Sequence, residues 1–130
     1  MIVAACVDDG LGLRFAGRRQ SRDRLLVQKL LELAQGRLRI APDAKSLFAG
    51  QGVYCGPDWL SGAGNGDWCF CEDASYLERA DDIEKIVLFQ WNRAYPADTY
   101  FTFPGQWTCR SREDFAGSSH EKITIEVYEK

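Results

Sequence analysis

The first seven residues constrain the fold most. Met1-Ile2-Val3-Ala4-Ala5-Cys6-Val7 is an unbroken apolar run, cut off by Asp8-Asp9-Gly10. A short apolar run without polar alternation, bounded by turn residues, predicts a buried strand over 2–7. Asp8-Asp9-Gly10-Leu11-Gly12 then reads as a turn, where glycine accepts positive φ. A helix is predicted next: Ser21 as its cap, Asp23 in its first turn, and Gly36 as its stop. Leu26, Leu30 and Leu33 recur along it at helical spacing, as do Val27, Leu31 and Ala34. Strand, turn and helix in that order open an α/β domain, where ligands settle near the strand-to-helix junction.

The remaining segments continue the alternation. Arg37–Ile40 predicts a short strand, and Pro42-Asp43 opens a short helix through Phe48 that Gly50 and Gly52 end. Val53-Tyr54-Cys55 is a short strand. Residues 56–67 are glycine-rich loop, with one helical turn at Pro57-Asp58-Trp59-Leu60. Trp68–Cys71 is a buried strand, Ala74–Ala80 a short helix and Ile83–Trp91 a long apolar strand, followed by a turn over Asn92–Asp98. Trp107–Arg112 and Lys122–Tyr128 form a last antiparallel pair. In it Ile123, Ile125 and Val127 alternate with Thr124, Glu126 and Tyr128, the period of a two-faced sheet. At 130 residues, without repeat or linker, the chain predicts one α/β domain over 1–130.

Charge is distributed unevenly against this frame. The chain carries a net charge of −3, so nothing drives it as a whole toward nucleic acid or anionic membrane. Yet five of its eleven arginines (Arg14, Arg18, Arg19, Arg22 and Arg24) fall within 14–24. Guanidinium groups bind phosphate or carboxylate through paired hydrogen bonds, and free backbone N–H groups at a helix start favour the same anions. Arginines there oppose the helix dipole by ~0.3–1 kcal/mol each, which calls for a compensating partner. That partner is either a bound anion or a protein carboxylate such as Asp8, Asp9, Asp23 or one from the acidic carboxyl-terminal half.

Other polar features have plainer explanations. Asp8-Asp9 fits a turn better than a metal site or general base, and Cys69-x-Cys71 fits small buried residues better than a zinc site. Gly62-x-Gly64-x-Gly66 lacks the Lys-Ser/Thr of a phosphate loop. His120, the one histidine, suits a structural hydrogen bond, and the four tryptophans suit the core. Five cysteines with no C-x-x-C spacing predict free thiols in a reducing compartment. With no signal peptide or transmembrane run, a cytoplasmic location and no membrane partner are expected.

Several of these segments together resemble the dihydrofolate reductase family. Val7-Asp8 through Leu11-Gly12 is similar to its first strand and cleft loop, and Ser21–Leu33 to its first long helix. Tyr76 stands at the tyrosine of its Gly-Gly-x-x-x-Tyr motif. Lys85-Ile86-Val87-Leu88 is similar to the next strand, and Asp98-Thr99-Tyr100-Phe101 to its Asp-Thr-x-Phe. Trp107 and Ser119-His120…Ile125-Glu126-Val127-Tyr128-Glu129 are similar to its last hairpin. The resemblance implies a twisted sheet with flanking helices, a carboxyl-terminal antiparallel hairpin and, for a reductase, NADPH. Where the family has Pro-Trp, this chain has Arg18-Arg19. The family's substrate-binding acid aligns with Arg24, beside Asp23. Its Gly-Gly pair aligns with Cys71-Glu72, where side chains obstruct a dinucleotide phosphate and a carboxylate repels it. Its phosphate-binding Gly-Arg and Thr correspond to Ala41-Pro42 and Ala44.

The chain also resembles a group of small bacterial proteins, some labelled ribonuclease Z, through Arg19-Gln20-Ser21-Arg22-Asp23-Arg24 and Glu121-Lys122-Ile123-Thr124. That nuclease uses a histidine-rich zinc motif, which a single histidine does not supply. The leading expectation is a non-reductase binding protein, with no required cofactor. Arg18, Arg19, Arg22, Arg24 and Asp23 would hold an anionic ligand such as a nucleotide or phosphorylated metabolite. The alternatives are a divergent NADPH-dependent reductase, or a module whose basic face meets an acidic protein or RNA.

Overall fold

The apolar amino terminus becomes the centre of a sheet. The computed structural model describes residues 1–49 and 52–130. In chain order its elements are β1 (Ile2–Val7), β2 (Gly12–Phe15), β3 (Arg18–Arg19), α1 (Arg24–Ala34), β4 (Leu38–Ile40) and β5 (Tyr54–Cys55). They continue with β6 (Trp68–Phe70), β7 (Lys85–Gln90), β8 (Thr99–Tyr100), β9 (Thr108–Phe115) and β10 (Ile123–Glu129). Two 3₁₀ segments, Pro42–Phe48 and Ala74–Asp82, link strands. Gly50, expected with Gly52 to end the first of these, lies outside the described residues.

Seven strands form one mixed sheet in the order β5-β4-β6-β1-β7-β10-β9. The pairs from β5 to β7 are parallel, and β10 closes antiparallel on both β7 and β9. The chain is thus a mixed α/β fold, with the expected carboxyl-terminal antiparallel pair.

Strand alternation divides the core into two layers. Ile2, Ala4, Val87 and Phe89 face the layer covered by Leu26, Leu30 and Ala34 of α1. Val3, Ala5, Ile86 and Leu88 face the other, where Tyr76 and Phe101 stack with centroids 5.0 Å apart. Leu33, expected on the buried stripe, is 39% exposed, because the helix buries positions four apart and Ala34 takes the third place.

The helix ends differ from expectation by a few residues. Asp23, not Ser21, caps α1, accepting the N–H groups of Leu25 and Leu26 at 3.0 and 3.1 Å. Ser21 lies too far ahead of those donors. At the other end Gln35 takes the left-handed conformation (φ 48°) before Gly36 continues it (φ 81°).

A second sheet, β3-β2-β8, lies where the sequence pattern gives only a turn and a charged segment. β2 and β3 form a tight hairpin whose loop residues, Ala16 and Gly17, have φ of 52° and 74°. Positive φ at both loop positions matches the right-handed twist of the flanking strands. The register places Arg14 opposite Arg19 and Phe15 opposite Arg18. This hairpin carries three of the clustered arginines to the carboxyl ends of the parallel strands.

Candidate functional site

The loop after β1 is built first. Asp8 accepts N–H groups from Gly10, Gly12 and Tyr95 at 2.9, 2.7 and 3.0 Å, so it organises the turn as a structural residue. Burial pushes its carboxyl pKa upward, but the N–H groups of Tyr95, Gly12 and Gly10 outweigh that and leave it below the usual range.

The ends of β1, β6 and β7, the amino end of α1 and the β2–β3 hairpin surround two adjoining spaces. The inner one is about 20 Å³, between Cys6, Phe70, Trp91, Leu26, Arg19 and Glu72, which is water-sized. The outer one is an open cleft of about 510 Å³ lined by Arg14, Arg18, Arg19, Arg22, Ser21 and Asp43, with Gly17 at its rim. Arg19, Ser21 and Arg22 belong to both spaces.

The cluster's arginines separate into three kinds. Arg19 grips Glu72 with two hydrogen bonds, Nε at 2.6 Å and Nη2 at 2.8 Å. Arg14 reaches the same carboxylate at 3.1 Å and Asp43 at 3.0 Å. The side chain of Glu72 is only 10% exposed, so this is a largely desolvated ion triad. The hydrogen bond to Glu72 raises the Arg19 pKa above its ordinary value. For Arg14 burial lowers it, but Asp43 and Glu72 prevail and the net shift is upward. The buried Nε of Arg14 has no hydrogen-bond partner among the described residues.

Arg18 and Arg22 are exposed and make no ion pair among the described residues. Four guanidinium groups therefore line the cleft with one carboxylate, Asp43, while Glu72 holds Arg14 and Arg19 from the inner space. Arg24 lies elsewhere, in a neighbouring groove of about 320 Å³ beside α1 that Arg22 also borders.

Asp23 is engaged within the protein. Besides capping α1, it accepts N–H groups from Ser118 and Ser119 at 3.0 and 2.8 Å, and its Oδ2 lies 3.0 Å from His120 Nδ1. Burial raises its pKa, but the N–H groups of Ser118 and Ser119, then His120, hold it far below the usual carboxylate range. Gly117 allows this approach, because a Cβ there would collide with the Asp23 carboxylate. His120 stacks on Trp91 with centroids 4.6 Å apart, and its Nε2 lies 3.0 Å from Ser21 Oγ and 3.3 Å from the Tyr95 hydroxyl.

Cys6, Cys69 and Cys71 are poor nucleophiles. Burial, then Glu72, pushes the Cys6 thiol well above its ordinary range despite Arg19. Burial raises Cys69 to about 11 and Cys71 well above its ordinary value. Among the described residues no group of three or more His, Cys, Asp or Glu is placed to hold a metal ion, and no helix is long and apolar enough to cross a membrane.

The sequence pattern of 14–24 brings Arg18, Arg19 and Arg22 to one cleft. Sequence reasoning placed Arg14 in the cluster without assigning it to the site, and read Glu72 only as an obstacle to phosphate. The signal it lacked was the hairpin register that sets Arg14 beside Arg19. No protein-family model matches the chain, and comparison with curated proteins also finds no match.

Proposed function

We propose that this protein binds a small multiply charged anion, a nucleotide or phosphorylated metabolite, in the arginine cleft. One observation carries the reading: Arg18 and Arg22 border an open cleft with no carboxylate partner among the described residues, beside Arg14 and Arg19, which Glu72 anchors. Anchored guanidinium groups lose little freedom when they bind a ligand, and the unpaired ones supply the excess positive charge.

The strand order of the large sheet, with α1 between its strands β1 and β4 and an antiparallel final pair, supports a reductase-like scaffold. On that resemblance Arg19 corresponds to the family's indole and Glu72 to its glycine, and these two departures from the pattern bind each other. The same resemblance implies that the Glu72 carboxylate obstructs a dinucleotide phosphate. Asp23, beside the helix position of the family's acid, has its oxygens engaged by backbone N–H groups and His120.

Thermal unfolding with inorganic phosphate, ADP and NADPH at low and moderate salt tests the proposal. Phosphate or ADP at about a hundred times its dissociation constant should stabilise the fold by about 2.7 kcal/mol. The increment should shrink with salt and in Arg22→Ala. NADPH should gain nothing from its nicotinamide half. Equal stabilisation of wild type and Arg18→Ala/Arg22→Ala would remove the proposal.

A further inference from the structure

The side chains of Ser21, His120 and Asp23 stand in a relation that capping a helix does not require. Asp23 Oδ2 is 3.0 Å from His120 Nδ1, and His120 Nε2 is 3.0 Å from Ser21 Oγ. Asp23 already accepts four backbone N–H groups, so its carboxylate is an acceptor that fixes the proton of His120 on Nδ1. The lone pair of Nε2 then faces the Ser21 hydroxyl, with the Tyr95 hydroxyl the more distant donor at 3.3 Å. Trp91 fixes the plane of the imidazole. Burial is graded: the Asp23 side chain is 0% exposed and that of His120 4%, while Ser21 is partly exposed and lines the arginine cleft. A nucleophile at a cleft wall, a sheltered base behind it and a buried carboxylate behind the base form the arrangement that activates serine on unrelated folds.

We propose that Ser21, His120 and Asp23 form a hydrolytic triad, with Ser21 the nucleophile toward carboxylic esters that carry a phosphate or carboxylate group. The triad stands on its own geometry, and the substrate class rests on the anion-binding reading of the cleft. Ser21 Oγ forms a bond to the ester carbonyl carbon while its proton passes to His120 Nε2. The carbon–oxygen bond to the alcohol breaks, and the alcohol leaves with that proton. Water then adds to the acyl carbon, giving a proton to Nε2. The bond to Ser21 Oγ breaks, the serine regains its proton, and the acid departs. Asp23 stabilises the imidazolium in both halves. Arg19 and Arg22 flank Ser21 with positive charge for the substrate anion and the developing oxyanion.

The test is reaction of the whole chain with a small neutral fluorophosphonate, read by intact mass and peptide mapping. Wild type should gain one phosphonyl group on Ser21. Ser21→Ala should gain none in that peptide, and His120→Gln, compared at a temperature where it remains folded, should react about 10²–10⁴-fold more slowly. No adduct on Ser21 in folded wild type overturns the triad, whatever the variants do, as does equal labelling of folded His120→Gln.

Ester hydrolysis separates the two claims. A phosphate- or carboxylate-bearing ester should exceed its neutral counterpart by about tenfold or more in kcat/KM, and Arg22→Ala should erase that advantage. Labelling of Ser21 without anion preference keeps the triad and removes the anion reading. Phosphate stabilisation without labelling keeps the cleft and overturns the triad.

Discussion

The two ends of the parallel strands use arginine in opposite ways. Near the amino ends Arg37, Arg39 and Arg79 are each held by carbonyls or a carboxylate. Arg37 binds Asp67 Oδ1 and the Asn65 carbonyl at 3.0 and 2.7 Å. Arg79 binds Asp82 and the carbonyls of Leu60 and Ala63 at 3.1, 2.7 and 2.7 Å. Arg39, on β4, binds the carbonyls of Trp59 and Asp58 and lies over the Tyr54 ring at 4.3 Å. These side chains tie loops to the sheet. At the carboxyl ends Arg14 and Arg19 are tied to Glu72, but among the described residues Arg18 and Arg22 have no carboxylate partner. The contrast separates arginines engaged within the protein from two that are exposed and, among the described residues, unpaired.

Substitutions at the carboxyl end test this contrast most severely at Asp23. Asp23→Ala removes the cap of α1 and strands the N–H groups of Ser118 and Ser119 together with His120. The expected loss is about 3–5 kcal/mol by denaturant titration. A loss under about 1 kcal/mol would show that the network is not holding the hairpin to the helix.

Glu72→Gln should cost about 1–3 kcal/mol in stability, because charge-assisted hydrogen bonds to Arg14 and Arg19 are weakened. It should also tighten phosphate binding several-fold as the cleft gains positive charge. Weaker binding instead would mean that the anchoring of the arginines matters more than their net charge.

Arg79→Ala and Arg22→Ala make the comparison directly. Arg79→Ala should destabilise by about 1–2 kcal/mol and leave phosphate affinity unchanged, since its N–H groups hold loop carbonyls. Arg22→Ala should stay within about 0.5 kcal/mol of wild type and lose affinity. Urea titration with and without phosphate reads both quantities.

Acid should act through Asp23 and Asp8. Both have folded pKa values below their unfolded ones, so both favour the fold fully above the unfolded value of about 3.9 and lose that contribution as pH falls toward the folded values. Stability should therefore decline below about pH 4, and Asp23→Asn should show a shallower decline than wild type. An identical acid limb would exclude Asp23 as a source.

Local patterns made part of this legible. Residues 2–7, the spacing of Leu26 and Leu30, and the alternation of Ile123 and Ile125 each report burial through neighbours close in the chain, so β1, α1 and β10 could be placed. The β2–β3 hairpin could not, because Arg14, Arg18 and Arg19 hide strands within a charged segment and Ala16-Gly17 is a weak turn signal. Ser21 and Asp23 are both good caps, and only the approach of Ser118 and Ser119 selects Asp23. Arg19 and Glu72 are 53 residues apart, and Ser21 and His120 are 99 apart. Pairings at such separations are set by strand order, which no local window contains.

The claim that the carboxyl-end arginines await a ligand is tested most directly by calorimetric titration of inorganic phosphate and ADP into wild type and Arg18→Ala/Arg22→Ala at low salt. The account predicts saturable binding at one site in wild type and a loss of about tenfold or more in the double variant, whose unfolding temperature stays near that of wild type. Absence of saturable binding in wild type, or equal affinity in the two proteins, would contradict it.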